Sequence, residues 1–344
     1  MPIKKKYKTT AGAMQGSLFD EEFSEDSASG IAGLSGGIDM RRNVQSEKRS
    51  ELSAPVAEIN DSGVFRFLSF GSGSSGNCSF IGNENGGFLI DAGIDIKFVI
   101  EKLAENNIAP EAIKGICLTH DHGDHIRYAY AFLRKYRTIG LFCTNRVLNG
   151  ILRHHNISRR IKDYHVAIYK EIPFKLGDFE ITAFDVPHDG SCNSGFSIAY
   201  GDARFVLATD LGSVSERARH YMENADYLVI ESNYDAKMLE EGEYPDYLKS
   251  RIRAENGHLD NADAAAFLKE IYSKKLKYVF LCHLSNNNNR PEIARQTIEK
   301  ALLEAGASVG DASDSLLDRA KDVQLTVLPR HEATRCFKFH VRLK

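Results

Sequence analysis

The sequence predicts an α/β protein of the α+β kind, with two sheets packed face to face and helices on the outside. Three observations predict it. After residue 64 the chain opens on short apolar runs separated by Gly, Ser and Asn, and it then alternates helical and strand periods. Two five-residue runs, Tyr227–Glu231 and Tyr278–Cys282, are almost wholly apolar, as strands buried on both faces are.

The elements follow in order. Residues 64–70, 78–81 and 88–91 read as a β-meander broken by Gly/Ser/Asn turns. Residues 96–106 carry an amphipathic helical period, and 115–119 form a short apolar strand. A helix is expected over 125–136, a strand over 138–143 and a second helix over 145–155. Residues 165–169, 179–186, 195–200 and 204–208 return to strands, and the two buried-type strands each follow a helical stretch. Helices over 262–272 and 292–305 and strands over 323–328 and 335–341 complete the chain.

Residues 1–60 differ from the rest. They are rich in Ser, Gly, Asp and Glu, have no sustained apolar period, and read as a mobile tail ahead of one domain over 61–344. Leu18, Phe19 and Phe23 among the acids leave a partner-binding arm as the other reading. No stretch approaches the roughly 20 apolar residues of a membrane span, and the basic N-terminus lacks the apolar segment of a secretory signal. Cys78, Cys117, Cys143, Cys192, Cys282 and Cys336 show no Cys-x-x-Cys spacing, which suits a reducing cytoplasm rather than a disulfide scaffold or zinc ribbon. A net charge of −3 gives no global clue, so any nucleic-acid contact needs a local basic patch.

The chemistry concentrates in Thr119-His120-Asp121-His122-Gly123-Asp124-His125, which leaves an apolar strand and enters a helix. His120 and His122, two apart in extended chain, face the same side, and Asp124 and His125 join them from the first helical turn. Three imidazoles and two carboxylates so close together are costly unless a cation compensates them. Three further strand ends carry metal-ligand side chains, His188, Asp210 and His283, which is best explained by loops converging on one site. Asp121 and Asp91 are candidates for orienting ligand imidazoles, and Asp91 reads equally well as a turn-stabilising carboxylate.

The HDHGDH string, followed in order by His188, Asp210 and His283, resembles the metallo-β-lactamase superfamily. Its YycJ/WalJ branch is resembled further by Gly71-Ser72-Gly73-Ser74-Ser75-Gly76-Asn77, by Glu231-Ser232-Asn233, by Gly257-His258-Leu259 and by His283-Leu284-Ser285-Asn286-Asn287-Asn288, over about residues 65–305. The chain departs from that branch at Tyr234, where a His is usual, and at Asp260, where a Ser is usual; the first removes a possible substrate-contacting His. The resemblance implies a four-layer αββα sandwich and two divalent metal ions; mixed imidazole and carboxylate ligands suit zinc or manganese, with iron a third option. His120, His122 and His188 would hold one ion, Asp124, His125 and His283 the other, with Asp210 bridging. Asp124 and Asp210 are read as catalytic groups, and His258, placed near His283, is expected to protonate a leaving oxygen. The branch implies a DNA exonuclease acting from the 5′ end.

One feature of the residues agrees with a DNA substrate. From Ile126 to Lys162 there are nine Lys or Arg (127, 134, 135, 137, 146, 153, 159, 160, 162) and no Asp or Glu, a basic face that starts at the metal loop. The 72–77 loop, through Ser74, Ser75 and Asn77, either cradles a phosphate with backbone N–H groups or is a tight hairpin turn. Ser285 and Asn286 lie next to His283 as further substrate contacts. The alternative is a small-molecule metallohydrolase, a thioesterase or lactonase of the glyoxalase II kind, which shares the ligands but needs no basic face.

Overall fold

The computed structural model describes residues 63–343 apart from Asp314; the extension expected over 1–60 lies outside the described residues. Alternation along β1 (Val64–Gly71) places the strand between two cores: Phe65 and Phe67 face the second sheet, whereas Leu68 and Phe70 face helices. The first sheet joins β1 to β2 (Cys78–Asn83), β3 (Gly86–Ile90), β4 (Ile113–Cys117), β5 (Gly140–Cys143) and β6 (His165–Ala167) in that order. The last strand, β15 (Phe337–His340), closes the far side of β1. The second sheet begins with β7 (Phe174–Leu176), β8 (Phe179–Asp185), β9 (Ser194–Tyr200) and β10 (Ala203–Ala208). It continues through β11 (Tyr227–Glu231), β12 (Tyr278–Cys282), β14 (Val323–Val327) and the short β13 (Val309–Gly310).

The two sheets pack through an aromatic layer in which Phe67 lies 4.9 Å from both Phe205 and Phe280, centroid to centroid. Outside the first sheet lie α1 (Ile96–Glu105), α3 (Ala129–Lys135) and α4 (Asn145–His154), each burying apolar residues against it. Outside the second lie α5 (Glu216–Met222), α8 (Asn261–Ile271) and α9 (Pro291–Glu304). This is the expected αββα order. Between β11 and α8 the chain adds α6 (Ala236–Glu241) and α7 (Asp246–Ile252), which share a small apolar cluster of Tyr234, Leu239, Leu248 and Ile252. The short α10 (Leu316–Arg319) precedes β14.

The helix expected over 125–136 is two pieces, α2 (Gly123–Ile126) and α3. The carbonyl of Asp124, which would accept from Tyr128 in a continuous helix, accepts instead from Asn77 N–H at 2.8 Å. Tyr128 N–H turns to Ala92 O at 2.8 Å. Ala92 N–H donates to His125 O at 2.7 Å, so the metal loop is zipped to the backbone after β3. Gly93 is required at this seam, since a Cβ there would sit 1.6 Å from Asp124 O.

Gly93→Ala therefore has to push the metal loop outward. It is expected to lower the unfolding free energy by roughly 1–3 kcal/mol and to reduce metal content, read by thermal denaturation and elemental analysis; an unchanged midpoint would contradict this seam.

Candidate metal centre

Strand direction gathers the site. In the first sheet β3 and β4 run parallel; in the second, β8, β10, β11 and β12 share one direction, since β9 is antiparallel to both β8 and β10. Asp91 follows β3, and His120, His122, Asp124 and His125 follow β4. His188 follows β8, Asp210 follows β10, Glu231 ends β11 and His283 follows β12. All leave the C-terminal ends of their strands. Asp91 and His283 take positive φ values of 60° and 54°, a left-handed turn that non-glycine residues adopt at a cost and that here swings each side chain into the site.

The ligand atoms form overlapping groups whose members lie within 4.8 Å of one another: His120, His122 and His188; Asp124, His125 and His283; and His120, His125 and Asp210 between them. Asp210 Oδ2 is 3.2 Å from His125 Nε2, its Oδ1 is 3.7 Å from His188 Nε2, and His283 Nε2 is 3.7 Å from Asp124 Oδ2. His120 Nε2, His283 Nε2 and Asp210 Oδ2 are buried without any hydrogen-bond partner among the described residues. Buried polar atoms are normally satisfied, and three orphans converging from different strands fit a metal site built from imidazole and carboxylate.

The opposite edges of the imidazoles are held by other groups. His125 Nδ1 pairs with Asp91 Oδ2 at 2.7 Å, and Thr119 Oγ1 lies between Asp91 and His120 Nδ1 at 2.9 Å from each. His188 Nδ1–H donates to Gly257 O at 2.9 Å. Glu231, fully buried, accepts from His283 Nδ1 at 2.8 Å and His258 Nδ1 at 2.7 Å through Oε1, and from the N–H groups of Leu211 and Leu259 through Oε2. These bonds orient His120, His125, His188 and His283 so that the other nitrogen points inward. Asp121 does not orient a ligand imidazole as expected. It accepts from Ser191 N–H at 2.9 Å and Ser191 Oγ at 2.6 Å, pinning the loop that carries His188.

Burial acts first on every group here, and the neighbours then decide the direction. Burial and the adjacent imidazoles hold His120 well below its usual range and take His188 down to about 4. Against burial, Asp210 and nearby carboxylates raise His125 well up and His283 to about 10. Asp210 itself, despite burial, is held well below the ordinary carboxylate range by His283 and His125. The carboxylates thus draw positive charge toward the centre, where cations are wanted.

A model of the β-lactamase superfamily domain matches residues 87–283. An exodeoxyribonuclease YycJ of Bacillus anthracis is 33% identical over 248 residues, covering 72% of this chain and 92% of that protein. The chain belongs to the metallo-β-lactamase superfamily. An exodeoxyribonuclease WalJ of Streptococcus pneumoniae is 34% identical over 247 residues, covering 72% and 91%. The crystal structure of the metallo-β-lactamase fold protein YhfI from Bacillus subtilis superposes with a TM-score of 0.57 at 14% identity, over 80% of this chain and 100% of that one, a likeness of fold. The site is accordingly the His/Asp metal site of a metallohydrolase.

The remaining residues singled out in this superfamily member fall in different places. His258 flanks the centre with a side chain 16% exposed. Ser75 is exposed and Ser74 half-buried at a loop tip, whereas Asn77 is buried. Asn77 Oδ1 accepts from Gly73 N–H, and its Nδ2 lies 3.2 Å from Asp124 Oδ2 and 3.0 Å from His125 Nε2. Ser285 Oγ accepts from Asn288 N–H at 3.2 Å, and Asn286 is exposed. Both departures from the YycJ/WalJ pattern have local explanations. Tyr234 is buried in the α6–α7 cluster, and Asp260 caps α8, a role Ser fills equally well. Sequence reasoning passed over Glu231 and Thr119 as site residues; a lone carboxylate ending an apolar strand was the available signal for Glu231.

Glu231→Gln keeps the shape but puts an NH2 against two of the four N–H donors, whichever oxygen it replaces. It is expected to cost about 1–3 kcal/mol of stability and about 10–100-fold in metal affinity, read by thermal unfolding and competitive chelator titration.

Proposed function

We propose that this chain is a binuclear-metal phosphodiesterase that trims DNA from an end, the 5′ end by resemblance to its branch. The observation that carries the DNA reading is the basic run that begins at the metal loop. All nine of its Lys and Arg residues are exposed, on α3, α4 and the turns beside them. Gly150 of α4 packs so closely on Asp121 that a Cβ there would lie 1.9 Å from Oδ2, which sets this face against the metal loop. A backbone phosphate attracted to it is led to the site. The names of the YycJ and WalJ relatives support the same substrate.

His120, His122 and His188 would hold one ion and Asp124, His125 and His283 the other, with Asp210 shared; zinc, manganese and iron all suit such ligands. When bound, two divalent cations supply an acidified water and positive charge for the phosphoryl oxygens. The protein's own contribution is placement and a proton. The His258 ring lies 5.0 Å from that of His188 and 5.2 Å from that of His283, so it borders both halves of the centre. With Nδ1 committed to Glu231, Nε2 is left to protonate the departing oxygen. The six free cysteines agree with a reducing cytoplasm, and no helix among the described residues is long and apolar enough to cross a membrane.

End-labelled linear DNA incubated with protein plus manganese or zinc is expected to be trimmed from one end. Chelator and Asp210→Asn should each abolish trimming, and added salt should weaken DNA affinity steeply. Intact DNA in the presence of fully metal-loaded protein would move the reading to a small-molecule hydrolase of the thioesterase or lactonase kind.

A further inference from the structure

The loop from Ser72 to Asn77 and the chain at Leu284, just ahead of Ser285 and Asn286, are joined by a residue that the sequence did not single out. Arg330 follows β14, in a segment that runs beside the first loop: Ser72 N–H donates to Pro329 O at 3.1 Å, and Thr334 N–H donates to Ser69 O at 2.8 Å. The Arg330 side chain lies across Gly73, where a Cβ would come within 3.3 Å of its Cγ, Cζ and Nη1. Its Nη2 donates to Leu284 O, next to the ligand His283. The same first loop reaches the ligands directly: Ser72 Oγ accepts from His283 N–H at 2.9 Å, and Asn77 lies against Asp124 and His125. Arg330 thus sits one residue away from the Asp124–His125–His283 side of the centre.

Its surroundings are those of an anion site. Arg330 is partly buried, burial lowers its pKa, and no carboxylate among the described residues pairs with it. A guanidinium withdrawn from water without a counter-charge is costly unless a ligand supplies one, and its planar fork matches phosphate. An imidazole and a second guanidinium meet the tip of the same loop. His331 Nδ1 lies 3.4 Å from Ser75 Oγ, and Arg127 Nη1 donates to Ser75 O at 3.3 Å. Of the N–H groups from Ser72 to Asn77, those of Ser72, Gly73, Gly76 and Asn77 are already bonded. Those of Ser74 and Ser75, at the tip, have no such bond among the described residues. The loop is therefore a tight turn whose tip alone is open to a ligand.

We propose that Arg330, with His331 and the Ser74–Ser75 tip, forms a phosphate subsite beside the metal ligands and holds a phosphate of the substrate adjoining the scissile bond. The owner of that phosphate rests on the nuclease reading; the subsite itself does not.

The test uses the full-length, metal-loaded protein as wild type, Arg330→Gln and Arg330→Lys. Calorimetric titration with inorganic phosphate reads the subsite directly, and KM for DNA oligonucleotides with and without a terminal phosphate reads its use. Arg330→Gln is expected to weaken phosphate binding and raise KM for DNA about tenfold or more, with Arg330→Lys recovering part of each loss and the unfolding midpoint unchanged. An effect confined to the phosphorylated oligonucleotide assigns the terminal phosphate, and an equal effect on both assigns an internal one. Phosphate affinity and KM equal to wild type would overturn the proposal. So would a fall in the midpoint and kcat with phosphate affinity intact, the signature of a loop clamp. Weakened phosphate binding in a protein that leaves all DNA uncut would keep the subsite and refute the nuclease reading.

Discussion

Two buried carboxylates, Asp91 and Glu231, govern how His120, His125, His258 and His283 face, and much of the active end of the molecule is arranged to hold them. Asp91 takes His125 directly and His120 through Thr119; Glu231 takes His283 and His258 on one oxygen. Each carboxylate comes from a different sheet, so the centre forms only when the sheets are packed in register through the aromatic layer between them. The left-handed turns at Asp91 and His283 are a local cost of aiming those side chains, carried by the packing around them.

The electrostatics follow from that arrangement. Asp124, Asp210 and Glu231 are all held below the usual carboxylate range, against burial, by facing imidazoles. Against burial, the same carboxylates push His125 and His283 up, while burial and neighbouring imidazoles push His120 and His188 down. A polypeptide gains nothing in stability by crowding such groups. Divalent cations among these ligands would balance the carboxylates, which gives the cluster its chemical purpose.

Much of this was legible in the sequence because it was written in local patterns. The alternation in β1 and the apolar runs of β10, β11 and β12 mark strands wherever their side chains must fill two cores. Imidazoles and carboxylates at the ends of such runs stand out against them. What escaped depended on distant partners. The helix after the metal loop breaks because Asn77, 47 positions earlier, takes the carbonyl of Asp124. Glu231 looks like the polar end of a strand until His258 and His283 are seen to share it, and Arg330 lies in an irregular segment whose neighbour is a loop near the start of the domain. The α6–α7 insertion went unplaced because its apolar cluster is small, although the chain after α7 supplies Gly257 O to His188 and His258 to Glu231.

The central claim is that this scaffold presents two adjoining cation positions that share Asp210. Anomalous diffraction at the manganese edge from crystals of the manganese-loaded protein tests it most directly. The account predicts two peaks, one among His120, His122 and His188 and the other among Asp124, His125 and His283, with Asp210 touching both. A single peak, or peaks away from Asp210, would contradict it.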